Sequence, residues 1–518
     1  MMGRYGREDQ VSVGYGKLRG VWAGSPSAPK ALLIASMPAA TTRARPRLTP
    51  IAAVLLVTAM TIPSARWGDF DMFWHLSNGR LMERDGGFPS PDVFSWSAAG
   101  RDVGLNSVLF ERLFYLLWRL DGGAALAGLA SLLFACALLP FALLIGRLSL
   151  KPWAEAIAIV LLAFAFVPYA GARPHMLGPV LLGALALLVE RPFGLRKGLL
   201  AGVVLGCWVN LHGSFLMGFA FVGTVAAAWL YERDRQATTA AGMALLIGAA
   251  ATLLSPFGFE LWRMPFRVSS HPLLAHFNED WFALRPLSVE GAVMGVLIVA
   301  AATRGVWRRS DPRALATLPL VLPAIQYQRL TILAVPLLLV AVLERLTELR
   351  PSLKIAPESK LGRTASRRAM DVMAWAILII GGVLVVGTAT PAGMGSTASR
   401  PLPVAAVDRL LACGAPAPVW NDYNWGGYLL WRGEGRYTVG MDGRAETLYP
   451  LAVFDDYFTV QDGRTGWQDI LQASPAQYIL VPDNGSIGLD ELPGWQRVYA
   501  DGIAVLGKRA GADWTCAP

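Results

Sequence analysis

Charge is scarce in this chain. Only 16% of its 518 residues are Asp, Glu, Lys or Arg, where an ordinary soluble domain has about a quarter. Together with 54% hydrophobic residues and a mean hydropathy of +0.43, this excludes a wholly soluble globule and implies a polytopic membrane protein with a soluble part attached. Cysteine is scarcer still, four in all, and no CxxC, HExxH, Walker loop or GxGxxG in a strand-to-helix context is present. Zinc, P-loop and dinucleotide chemistries therefore have no support. The net charge of +9 invites a nucleic-acid partner, but residues 392–518 carry 9 basic and 14 acidic side chains. The positive excess lies instead in short loops between apolar runs, where the positive-inside rule puts it. Nucleic acid is not implied.

Long apolar runs are what the chain has in abundance. Residues 1–48 are Gly-, Ser-, Ala- and Arg-rich without apolar period and read as disordered. Residues 49–391 read as a transmembrane domain of about 11 spans, since runs near 49–65, 123–146, 152–169, 174–190, 196–211, 213–231, 238–256, 289–303, 314–327, 329–346 and 371–391 approach spanning length. With a cytoplasmic N-terminus, basic clusters such as Arg191/Arg196/Lys197 and Arg304/Arg308/Arg309/Arg313 fall inside. The first outside loop, 66–121, is long. Within it Phe73–Met82 and Val108–Leu120 have helical apolar spacing; the second reads either as an interfacial helix or as the start of the next span.

The stretch Trp67–Arg80, WGDFDMFWHLSNGR, places Asp69, Asp71 and His75 just off a membrane face, where acids are costly to keep. The same outside face collects Arg80; Arg173 and His175 in ARPHML; Asn210 and His212 in WVNLHGSF; His271, His276, Glu279, Asp280 and Trp281; and Gln326 with Arg329. All five histidines fall there. Such a convergence of acids, imidazoles and guanidiniums reads as a site.

Residues 392–404 form a Ser/Ala/Pro-rich linker, and 405–518 read as a small α/β domain outside the cytoplasm. Its β-like runs are Pro418–Trp420, Tyr437–Met441, Tyr478–Val481, Arg497–Tyr499 and Ile503–Leu506, alternating with helical stretches Val404–Ala412, Leu451–Gln461 and Trp467–Gln472. Asp422 reads as a helix cap at a strand-to-helix junction whose glycines allow close packing. Cys136 and Cys207 lie in spans as small core residues. Cys413 and Cys516, at the two ends of the α/β domain, are expected to form a disulfide there, two free thiols being the alternative.

The motifs GDFDMFWHLSNGR, SPDVFSWSAAGR, ARPHMLG, WVNLHGSFLMG, LLSPFGFELW and VWNDYNWGGYLLWRGEGRYTVGMDGR together resemble a group of bacterial glycosyltransferase-C-like (GT-C-like) membrane proteins, over residues 50 to 509. The resemblance implies residence in the bacterial cytoplasmic (inner) membrane and transfer of a sugar from a polyprenyl-phosphate carrier to an envelope glycan, lipid or protein acceptor. It also implies that Asp69 and Asp71 are the acidic motif of the first outside loop. That chemistry needs a carboxylate to take the acceptor's proton. Asp69 is the first choice, with Asp71 as partner or as ligand to a divalent cation, Mg or Mn. It needs cations and donors at the leaving phosphate, for which Arg173, Arg80 and Arg329 are candidates, with His75, His175, His212, Asn210 and Glu279 as further contacts. An aromatic wall could come from Trp67, Trp74 and Trp281, which read more readily as interfacial belt residues. The rival reading is a non-catalytic membrane protein that binds or translocates an envelope lipid.

Overall fold

The computed structural model describes residues 70–354 and 401–516, apart from 89, 105–106, 167–168, 256, 271–280, 309–310, 486 and 490–491, together with 372 and 376. Asp69, Trp67, His271, His276, Glu279 and Asp280 lie outside the described residues, as do the runs 49–65 and most of 371–391.

The membrane portion is helical. After α1 (Phe70–Asp85) come α2 (Val108–Gly146), α3 (Pro152–Phe166), α4 (Leu177–Leu188), α5 (Leu195–Val209), α6 (Phe215–Tyr231), α7 (Arg235–Ala250), α8 (Glu260–Ser269), α9 (Val289–Arg304), α10 (Leu318–Gln326) and α11 (Thr331–Leu349). Among the described residues three stretches, Val108–Gly146, Arg235–Leu254 and Gln328–Leu349, are long and apolar enough to cross a membrane. Pro152–Phe166, Pro174–Leu188 and Phe215–Tyr231 are shorter apolar helices. Every residue from Thr331 to Val342 is buried, so α11 is an internal helix, with α2, α3, α4, α9 and α10 packed on it, as its all-round apolar sequence requires. The backbone of α2 breaks at Asp121–Gly122. Val108–Leu120 is thus a distinct helical piece ahead of the span, with Phe110, Glu111 and Phe114 buried. The stretch 257–288 contains α8, whose buried residues Leu261, Met264 and Val268 recur at helical spacing.

The C-terminal region builds a five-stranded sheet from β1 (Ala417–Asn421), β2 (Tyr437–Val439), β3 (Tyr478–Pro482), β4 (Trp495–Ala500) and β5 (Ala504–Arg509), in the order β2-β1-β3-β5-β4. β1 is parallel to both β2 and β3, while β5 is antiparallel to β3 and to β4. The helices are α12 (Val404–Cys413), α13 (Tyr423–Gly433), α14 (Leu451–Gln461) and α15 (Trp467–Ala473). Cys413, the last residue of α12, is bonded to Cys516. Asp422 caps α13, its carboxylate accepting the Asn424 N–H at 2.9 Å.

The sheet does not stand apart from the first loop. Trp96 N–H donates to Val439 O at 3.0 Å and Val439 N–H to Phe94 O at 3.0 Å, so residues 94–96 lie along the free edge of β2. Buried Arg444 donates to Asp92 at 2.5 Å and to Asp442 at 2.6 Å, with both ion pairs withdrawn from solvent. Burial works against its charge, but Asp442, Tyr449 and Asp92 outweigh that and hold the guanidinium above its ordinary pKa. Finally, α13 lies on α1. Gly427 lets it approach, because a Cβ there would come within 3.1 Å of Phe70 O and Trp74 N.

Candidate active site

Asp71 sits in the first turn of α1, where the unpaired N–H groups of a helix start favour a negative charge. Arg173, just ahead of the short 3₁₀ turn Pro174–Met176, donates to Asp71 Oδ2 at 2.6 Å. Trp74 Nε1–H, one helical turn along, donates to Asp71 Oδ1 at 3.2 Å. Both carboxylate oxygens are therefore held.

Next on the helix, His75 Nδ1 lies 3.1 Å from Glu111 Oε1, and both side chains are buried. Ser107 Oγ–H donates to the same oxygen at 3.1 Å. A buried carboxylate on one ring nitrogen fixes the orientation of an imidazole, so Glu111 is a positioning group for His75. Its role was hidden in VLFERLF, where a charge on an amphipathic segment reads as solvent-facing.

From the other side come His175 and His212, their ring centroids 6.5 Å apart. His175 Nε2 lies 3.0 Å from Tyr169 O, a carbonyl that can only accept, so that nitrogen bears the proton. The Ser214 N–H donates to His212 Nδ1 at 3.2 Å, which leaves the proton of the neutral ring on Nε2. Desolvation, then the charges of Arg329, His175 and Arg173, holds His212 well below the ordinary imidazole range. At neutral pH it is an uncharged hydrogen-bond donor. Arg329 lies over the Trp281 ring, 4.7 Å from its centroid, a cation–π contact that orders the guanidinium.

These groups line one cavity of about 570 Å³ together with Met264, Gln326 and Tyr327, a size typical of small-ligand sites. Its last wall is Gly443, Arg444 and Thr447 from the C-terminal region. A Cβ on Gly443 would overlap Asp71 Oδ1 and crowd Trp74 Nε1; only a glycine lets this loop lie against the carboxylate. The repeated glycines of YTVGMDGR were the signal for that close approach.

Of the side chains expected from the sequence, the fold therefore brings together Asp71, Trp74, His75, Arg173, His175, His212, Trp281 and Arg329. Two are placed elsewhere. Arg80 stacks 3.5 Å over the Trp431 ring and donates to Trp431 O at 3.1 Å, tying α1 to α13. Asn210 donates to Gly206 O at 3.2 Å and Ala251 O at 3.5 Å, joining the end of α5 to the turn after α7. The Asn210 amide is spent on backbone, and the Arg80 guanidinium on a carbonyl, a ring and Glu434, 3.5 Å away. Asp69 and Glu279 lie outside the described residues.

A divalent cation does not fit the described donors. Asp71 is engaged by Arg173 and Trp74, and among the described residues no three His, Cys, Asp or Glu side chains converge as a metal site would require.

No family model and no curated protein sequence matches the chain. Solved structures do. ArnT from Cupriavidus metallidurans, solved bound to undecaprenyl phosphate, superposes with a TM-score of 0.51 over 88% of this chain and 97% of its own, at 14% identity. The chain has the GT-C fold. The Archaeoglobus fulgidus oligosaccharyltransferase, solved with Zn and sulfate, gives a TM-score of 0.54 over 83% of this chain and 68% of that one, at 12% identity. Arabinofuranosyltransferase AftD from Mycobacteria gives 0.52 at 14% identity, over 89% of this chain and 39% of AftD. GT-C architecture and the apolar helices together make this a polytopic membrane protein.

Proposed function

We propose that this chain is a membrane glycosyltransferase that moves a sugar from a polyprenyl-phosphate donor to a cell-envelope acceptor on the extracytoplasmic face. One observation carries the reading: a single cavity holds a carboxylate, Asp71, against Arg173, with Arg329 and three imidazoles beside them. The likeness to a protein solved with undecaprenyl phosphate supports a polyprenyl donor. The loop charges support an inner-membrane protein with a cytoplasmic N-terminus, a linker at 392–404 and an extracytoplasmic α/β domain at 405–518.

In this mechanism the acceptor hydroxyl oxygen attacks the anomeric carbon and forms the new glycosidic bond. Its proton passes to Asp69 or Asp71 as general base. The bond from the anomeric carbon to the phosphate oxygen breaks, and its electron pair leaves on the polyprenyl phosphate. Arg173 and Arg329 meet that charge, with His212 donating a hydrogen bond from Nε2, while the one proton of His175 stays on Tyr169 O. Arg173 links the two events. It holds the Asp71 carboxylate and is one of the two guanidiniums that meet the departing phosphate.

The test is sugar transfer by the detergent-purified protein from a panel of radiolabelled polyprenyl-phosphate sugars. Asp71→Asn or Asp69→Asn should lower turnover by about 10²- to 10⁴-fold, the usual worth of a general base, with the thermal midpoint preserved. If donor lipids neither bind nor turn over, and both variants complement a deletion strain, the lipid-binding reading replaces this one.

A further inference from the structure

A second cavity, of about 720 Å³, lies in the C-terminal region. It opens where β1 and β3 end: Asp422 follows β1, and Pro482 and Asp483 follow β3. These strands are adjacent and parallel, yet the chain leaves β1 for β2 on one side and reaches β3 on the other. Such a reversal opens a crevice at the carboxyl ends of the two strands, and this is where open α/β sheets bind their ligands.

The chemistry of the crevice is distinctive. Half-buried aromatic faces come from Tyr423, Phe458 and Phe282. Amides come from Asn424 and Gln461, and carboxylates from Asp422, Asp462 and Asp483, while no Lys, Arg or His is among its described lining residues. Asp462 is paired with Arg464, but a phosphate or uronate there would still meet Asp422 and Asp483 with no basic side chain among the described lining. A neutral polyol suits it: ring C–H faces pack on the aromatics, while hydroxyls donate to carboxylates and pair with amides. Phe282 lines this crevice and its neighbour Trp281 the catalytic cavity; Met441 lines the crevice and Gly443 the cavity. The two spaces share a wall.

We propose that this crevice binds an uncharged sugar residue and is the acceptor subsite. The acceptor role rests on the functional reading above; the binding does not. The experiment is saturation-transfer NMR and calorimetry on the full-length protein in detergent. Its probes are neutral gluco-, manno- and galacto-oligosaccharides, and the same sugars bearing phosphate or uronic acid. At least one neutral series should bind saturably, with its anionic counterparts weaker. Phe458→Ala should lower affinity about fivefold to tenfold, the worth of one aromatic platform, and Asp483→Asn should lower it as well, with polyprenyl-phosphate binding and the thermal midpoint unchanged in both.

Equal binding of anionic sugars, affinities within twofold in both variants, or no glycan binding by a protein that does bind donor lipid, would each overturn the proposal. Should neutral glycans bind while no donor lipid does, the crevice stands and the acceptor role falls with the functional reading.

Discussion

Two cavities lie back to back across Met441–Arg444, and they are opposite in charge. One sets Arg173 and Arg329 beside Asp71; the other has three aspartates and no basic side chain among its described lining. The first lies between membrane helices and the C-terminal region, while the second is largely within that region. The difference teaches that the two halves of a transfer reaction can be sorted by charge before shape is consulted. For the proposed transfer, this would draw an anionic carrier to one side of the wall and away from the other.

Breaking the wall should affect both spaces at once. Arg444→Met leaves Asp92 and Asp442 buried without their cation, so a loss of about 3–5 kcal/mol is expected, read as a large drop in the detergent thermal midpoint with both donor and glycan binding impaired. Loss of only one ligand would show that the cavities are held independently. Gly443→Ala sharpens the comparison. Its Cβ pushes on two side chains, Asp71 and Trp74, rather than on backbone, so turnover should fall by about 10²-fold for a displacement near 1 Å, while the midpoint and neutral-glycan affinity stay put.

The smallest effect is one of pH. The folded pKa of His212 is depressed, so below the unfolded value the unfolded chain takes up a proton that the folded chain refuses. This contribution to stability is complete above about pH 6.5 and declines as pH falls, by at most about 1.4 kcal/mol per pH unit. His212→Gln should flatten that acid limb in midpoints measured from pH 7 to 5. An unchanged limb would assign it to another group.

Much of the scaffold was legible in the sequence because it rests on local periodicity. The helix over Phe73–Met82 lies within α1, and each β-like run of the C-terminal region falls on or across a strand. The cap at Asp422 could be read from its place between an apolar strand and the glycine-rich start of a helix. What escaped was pairing at a distance. Glu111 meets an imidazole 36 residues away, and Arg444 meets a carboxylate 352 residues away; nothing local marks either as buried. Arg80 misled for the related reason that a guanidinium beside an acidic motif can be spent on a backbone carbonyl and a tryptophan ring. The amphipathic α8 lay unmarked in a stretch read as loop, although its Met264 lines the cavity.

The strand-like pairing of residues 94–96 with β2 bears on the order in which the molecule is made. A ribosome delivers the first loop hundreds of residues before Val439, so during membrane insertion that loop has no edge to lie along and Asp92 has no guanidinium. The wall behind Asp71 is complete only once residues 439–447 have been made.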